Sequence, residues 1–96
     1  MGVELLRTGT PNVGAVVVPV KESGLFTASV KGPGSVAAAI TVEGSEDAAA
    51  WRAILHFELK GELLAHSSFS LGLALPYVRG RLDSIVGEVA VLVLED

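Results

Sequence analysis

Residues 25–43 read LFTASVKGPGSVAAAITVE, and their pattern decides the fold. Side chains alternate across a β-strand with period two. Phe26, Ala28 and Val30 therefore share one face, with Thr27, Ser29 and Lys31 on the other. Beyond Gly32-Pro33-Gly34 the alternation resumes, with Val36, Ala38, Ile40 and Val42 set against Ala37, Ala39, Thr41 and Glu43. Consecutive glycine and proline punctuate a chain as a turn. The stretch thus predicts a β-hairpin with one apolar face on each arm.

The flanking sequence follows the same grammar. Eleven Gly and four Pro separate short apolar runs, the spacing of an all-β sandwich or barrel. Val3–Arg7 reads as a first strand at an edge, and Val13–Val18 as a strand that Pro19 ends. Lys21–Gly24 turns the chain. Leu75–Ser84 is a strand entered through Pro76, with Val78, Gly80 and Leu82 on one face and Tyr77, Arg79, Arg81 and Asp83 on the other. Gly87–Glu95 closes the chain, with Val89, Val91 and Val93 opposite Ala90, Leu92 and Leu94. A strand apolar on both faces is buried on both, so this strand is the local candidate for a subunit contact.

Residues 45–60 carry two readings. Ser45-Glu46-Asp47 before three alanines has the cap and acidic first turn of a helix, which would align Ala48, Trp51, Leu55 and Leu59. Yet Trp51, Ala53, Leu55, Phe57 and Leu59 also stand at strict period two. The all-β context favours a turn over 44–50 and a strand over 51–59, closed by Gly61. Glu62–Gly72 is expected to hold a loop and a strand near Ser67–Leu71. The expectation is one domain over residues 1–96: a small antiparallel β-sandwich, jelly-roll-like, of about seven or eight strands.

Composition bounds the function. With 96 residues there is room for one domain. Half of the residues are apolar and only 19% are charged, against roughly 25% in an ordinary chain. The mean hydropathy of +0.56 exceeds the needs of one small core, which predicts apolar surface hidden against neighbouring subunits. Net charge is −4 and the seven basic residues are scattered. Phosphate neutralisation needs clustered positive charge, so neither nucleic acid nor an anionic membrane surface is an expected partner. Without cysteine, disulfides and thiolate chemistry are excluded. Residues 1–20 carry no signal-peptide pattern, and the uncharged stretch Leu63–Val78 is too short to span a bilayer; synthesis in a cytoplasm is expected.

The search for chemistry returns little. His56 and His66 match no metal spacing, and no G-x-S-x-G elbow surrounds Ser67, Ser68 and Ser70. Gly32-Pro33-Gly34 lacks the Lys-Ser/Thr of a phosphate loop. No catalytic, cofactor-binding or metal-binding residue is expected, and the protein is read as a non-enzyme. Trp51, the one tryptophan, is expected to anchor the core; the other reading makes it a platform for a sugar ring. Arg79 and Arg81, on the face of Tyr77, are expected either to pair with Glu43 or Glu58 across the sheet or to meet a neighbouring subunit.

Two segments carry a resemblance. Residues 40–51 read ITVEGSEDAAAW and residues 75–87 read LPYVRGRLDSIVG. In order and spacing, residues 35–95 resemble small tailed-bacteriophage virion proteins, including capsid decoration or cement proteins. These share a strand ending in Gly-Ser-x-Asp, a turn, a Trp, a Pro-Tyr-Val-Arg strand and a Gly-opened last strand. The pattern is also similar to discoidin-like and carbohydrate-binding jelly rolls. Ala48 stands where both usually have glycine. The resemblance implies a turn made by Gly44, Ser45 and Asp47 with Trp51 packed under it, and Tyr77 and Arg79 on the neighbouring strand. It also implies a homo-oligomer, dimer or trimer, that binds capsid or other virion proteins and resides in the virion after synthesis in the bacterial host cytoplasm.

Overall fold

The computed structural model describes residues 2–19, 23–72 and 75–95; Lys21 and Glu22 of the expected Lys21–Gly24 turn lie outside them, while Ser23 and Gly24 already belong to a strand paired with Gly72 and Leu71. Six antiparallel strands and no helix form among the described residues: β1 (Gly2–Thr8), β2 (Asn12–Val13), β3 (Ser23–Ser45), β4 (Arg52–Gly72), β5 (Tyr77–Val86) and β6 (Val89–Glu95). The sheet runs β1-β6-β3-β5-β2, with β4 on the other edge of β3. It curls until its ends nearly meet. A Cβ at Gly14, just past β2, would collide with the Leu5 carbonyl oxygen of β1.

The number of strands is lower than expected because two pairs fuse. The expected hairpin over 25–43 is one continuous strand. Along one edge, β3 pairs with β4 over nearly its whole length. Along the other, Leu25–Lys31 pairs with β6 and Ala37–Ser45 with β5. Gly32-Pro33-Gly34 is therefore a corner and not a reversal. Lys31 pairs with Leu64 and Ser35 with Glu62, so three residues of β3 face the single Leu63 of β4, and Leu63 takes a left-handed φ of 64°. Extra residues on one strand bend it and raise its twist. The loop expected within Glu62–Gly72 is likewise absent, because the chain must continue as β4 to pair with the first arm of β3. Of the expected strand Val13–Val18, only Val13 lies in β2, with an isolated bridge from Val17 to Val78.

Gly87 and Glu88 carry the chain around the same corner from β5 to β6. Gly87 has a φ of +147°, and the Glu88 N–H donates to the Lys31 carbonyl at 2.8 Å. A Cβ at Gly32 would stand 3.0 Å from the Gly87 Cα. Two glycine corners thus nest against each other.

One core fills the space between the arms. Phe26, Ala28 and Val30 come from the first arm of β3, and Val36, Ala38, Ile40 and Val42 from the second; Leu5, Leu6, Phe57, Leu59, Val78, Leu82, Ala90, Leu92 and Leu94 complete it. The alternation read from residues 25–43, 77–83 and 89–95 is the alternation observed. On the last strand only Ala90, Leu92 and Leu94 are buried; Val89, Val91 and Val93 are half-buried on the outer face. Local bulges adjust the phase elsewhere. Leu5 is an extra residue between Glu4 and Leu6, which lets both leucines face inward.

Candidate functional site

The second arm of β3 is buried on both faces. Ile40 and Val42 face the core, while Thr41, Glu43 and Ser45 face outward and are still only 2%, 5% and 2% exposed. Their cover is a roof of side chains from β4, β5 and the 46–51 loop. Glu43 sits at its centre. Its Oε1 accepts from Arg79 Nε at 2.8 Å and its Oε2 from Arg81 Nη1 at 2.8 Å. Strand register explains this, since Glu43 pairs with Arg79 and Thr41 with Arg81. Arg81 Nε donates to Asp83 Oδ1 at 2.6 Å, and the Thr41 hydroxyl donates to Asp83 Oδ2 at 2.6 Å. Asp83 shares the outward face of Arg79 and Arg81, and the bulge between Leu82 and Ser84 leaves it without a partner residue on β3.

The network continues onto β4. His56 Nδ1 lies 2.9 Å from the Thr41 hydroxyl, and its Nε2 lies 2.8 Å from Glu58 Oε1. The single hydroxyl proton of Thr41 goes to Asp83, so His56 Nδ1 donates to Thr41. Burial works against the Asp83 charge, but hydrogen bonds from Thr41 and Arg81, with the Arg81 and His56 charges, outweigh it and hold its pKa below the usual value. The same Asp83 hydrogen bond raises the Arg81 pKa.

Trp51 is not in the core, contrary to expectation. It is half-buried on the outer face, with the Arg79 guanidinium 4.1 Å from its ring centre. The reason is a bulge. Val42 pairs with Leu55 but Glu43 pairs with Ala53, leaving Ile54 extra. A one-residue slip flips every side chain beyond it. Leu55, Phe57 and Leu59 keep the inward phase, while Ala53 and Trp51 join Glu43 outside.

Beside Trp51 opens a cleft of about 290 Å³ lined by Gly44, Ser45, Glu46, Asp47, Ala50, Trp51, Arg52 and Leu75. The expected turn forms its wall. Ser45 is buried, and its Oγ accepts from the Ala48 N–H at 2.9 Å. Asp47 Oδ1 accepts from the N–H groups of Ala49 and Ala50 at 2.9 and 3.0 Å. Those two amides, Ala50 first, and the Ser45 hydroxyl lower the Asp47 pKa. Ala48 adopts a φ of 61°, so an L-residue holds the left-handed position where the related pattern has glycine. Tyr77 begins β5 opposite Ser45 and is half-buried. The structure therefore brings Glu43, Trp51, Arg79 and Arg81 together, with Thr41, His56, Glu58 and Asp83, which were not singled out as a site. Cross-strand register, available only once the strands are paired, links them. Among the described residues, no three His, Asp or Glu side chains converge as a metal site would.

No protein-family model and no curated protein matches the chain. Among solved structures, the chain is similar to the crystal structure of the SPBc2 prophage-derived protein YomS, with a TM-score of 0.64 and 14% identity over 99% of this chain and 90% of that one. At that identity the two proteins share a fold.

Proposed function

We propose that this chain is a non-enzymatic structural protein of a phage virion, a capsid decoration protein that self-associates and stabilises the assembled shell. Its two facing arms then serve as a jelly-roll-like sandwich. The observation that carries the reading is the likeness, over nearly the whole length of both chains, to a protein of prophage origin, joined to the virion-protein pattern in residues 40–51 and 75–87. The roof around Glu43 supports it, because a charge network tied into three strands offers a pre-ordered docking face. A ligand that binds only the assembled state stabilises that state by mass action. Phage particles lacking the protein are expected to release DNA at lower temperature and under milder osmotic shock than complete particles. Unchanged particle stability would overturn the reading.

A second reading, a carbohydrate- or receptor-binding module on a tail or spike, is favoured by one observation: Trp51 stands on an open cleft beside Asp47 and Arg52. Its test is glycan-array binding that Trp51→Ala abolishes while the circular dichroism spectrum is unchanged. Lost host adsorption with intact particle stability would favour it over decoration.

A further inference from the structure

We infer that Leu63–Gly72 of β4 is a self-association edge, through which two copies of this chain join their sheets about a two-fold axis. The inference deepens the self-association in the proposed function and does not need the capsid.

Among the described residues β4 pairs only with β3, so one side of a strand of 21 residues keeps unpaired backbone donors and acceptors. Edges of this kind template pairing with another chain unless charge, proline or cover blunts them. The two halves of β4 differ in this respect. Its first half carries Arg52, Glu58, Lys60 and Glu62. Its second half, LLAHSSFSLG from 63 to 72, has no Asp, Glu, Lys, Arg or Pro.

Of the five large apolar side chains more than half exposed among the described residues, three lie on that unguarded half, Leu63 at 61%, Leu64 at 53% and Phe69 at 53%, and the other two, Val18 and Val86, lie outside it. Phe69 pairs with Phe26 on the core face of the sheet. Phe26 is fully buried, while Phe69 has half its surface in water. The core face continues to the edge of β4 without the cover a core needs.

A second copy fits this edge by charge and by pattern. Each chain carries net charge −4, so most surfaces repel their own copies; this segment brings no charged pair together. An antiparallel pair centred on Ser67 sets Ser67 against its copy, Ala65 against Phe69, His66 against Ser68 and Leu63 against Leu71. Phe69 and Ala65 of the two chains then share the core face, and a two-fold contact is self-complementary by construction. Each Phe69 gains an apolar neighbour from the other copy. The corner at Leu63 ends the contact by turning the charged half of β4 away.

The test uses the full chain, which contains no cysteine. Wild-type protein is expected to sediment at twice its 9.9 kDa mass at micromolar concentration. Ser67→Lys places two ammonium groups face to face and is expected to raise the dimer dissociation constant about 100-fold with an unchanged circular dichroism spectrum. Ser67→Cys is expected to form an intermolecular disulfide on mild oxidation, while His56→Cys stays unlinked. A monomeric wild type would overturn the inference. So would a dimer that Ser67→Lys leaves intact, or one joined through Arg52–Glu62, in which Ser67→Cys does not cross-link. Failure to bind capsids would affect the proposed function alone.

Discussion

At the residue scale, Glu43 concentrates the energetics of the outer face. Its side chain is 7% exposed and is held by Arg79 and Arg81, whose side chains are 25% and 40% exposed. Ion pairs in full water contribute little, but removing one partner from a buried charge leaves that charge under-compensated. Arg79→Ala also strips the cation from the Trp51 ring, an interaction of about 0.5–1 kcal/mol at an exposed site. The variant is expected to lose about 1–3 kcal/mol in urea unfolding. Because Trp51 is the one tryptophan, its emission is a clean local reporter and should shift to the red as the ring gains water. An unshifted spectrum would mean that Arg79 does not cover the indole in solution. The alternation put Glu43, Arg79 and Arg81 each on the outward side of its own strand and left Glu43, Glu58 or a neighbouring subunit as partner of the arginines; the strand register selects Glu43. The position of Trp51 was not legible in the alternation. Nothing around Ala53-Ile54-Leu55 marks a bulge, and the bulge alone reverses the phase that the alternation assigns to the indole.

At the scale of the elements, the corner decides the architecture. Gly-Pro-Gly satisfies the grammar of a tight reversal equally well, so the sequence around it suggests a hairpin between its own arms. What selects a corner is β4, which follows β3 through the bend with Leu63 opposite the three extra residues. That information lies in the partner strand, some thirty positions away along the chain. The alternation within each arm was readable because each arm buries one face. The joining of the arms was not, since local turn chemistry does not record which edge finds which partner. Gly87 tests the geometry. Its φ of +147° is strained for any residue with a Cβ, and that Cβ would stand 3.0 Å from the Lys31 carbonyl oxygen. Gly87→Val is expected to cost about 2–4 kcal/mol through backbone strain and overpacking, measured as a lower midpoint of thermal unfolding. Val at Gly34, where an added Cβ would meet nothing within 4 Å, should be far milder. Equal effects at the two positions would contradict the nesting of the corners.

At the scale of the whole molecule, the acidic residues set the dependence of stability on pH. The pKa values of Asp47 and Asp83 are lowered in the fold. A carboxylate with a depressed folded pKa contributes stability that is present above its unfolded value of about 3.9 and is lost as pH falls through the folded value. Unfolding scans from about pH 6 downward should show a plateau followed by a decline below about pH 4. Asp83→Asn should flatten that decline while lowering the plateau, because the amide still accepts from Thr41 but no longer offsets the Arg81 charge. A decline of the same steepness in the variant would remove Asp83 from the account.

The running of β3 and β4 through both arms has a mechanical meaning. Since β3 and β4 each run through both arms, neither arm owns a complete set of strands, and there is no seam at which the molecule can come apart by halves. Peeling β6 from one arm loosens a strand that also holds β5 in the other. A chain this short is thereby braced as one body, each arm held by strands that run on into the other.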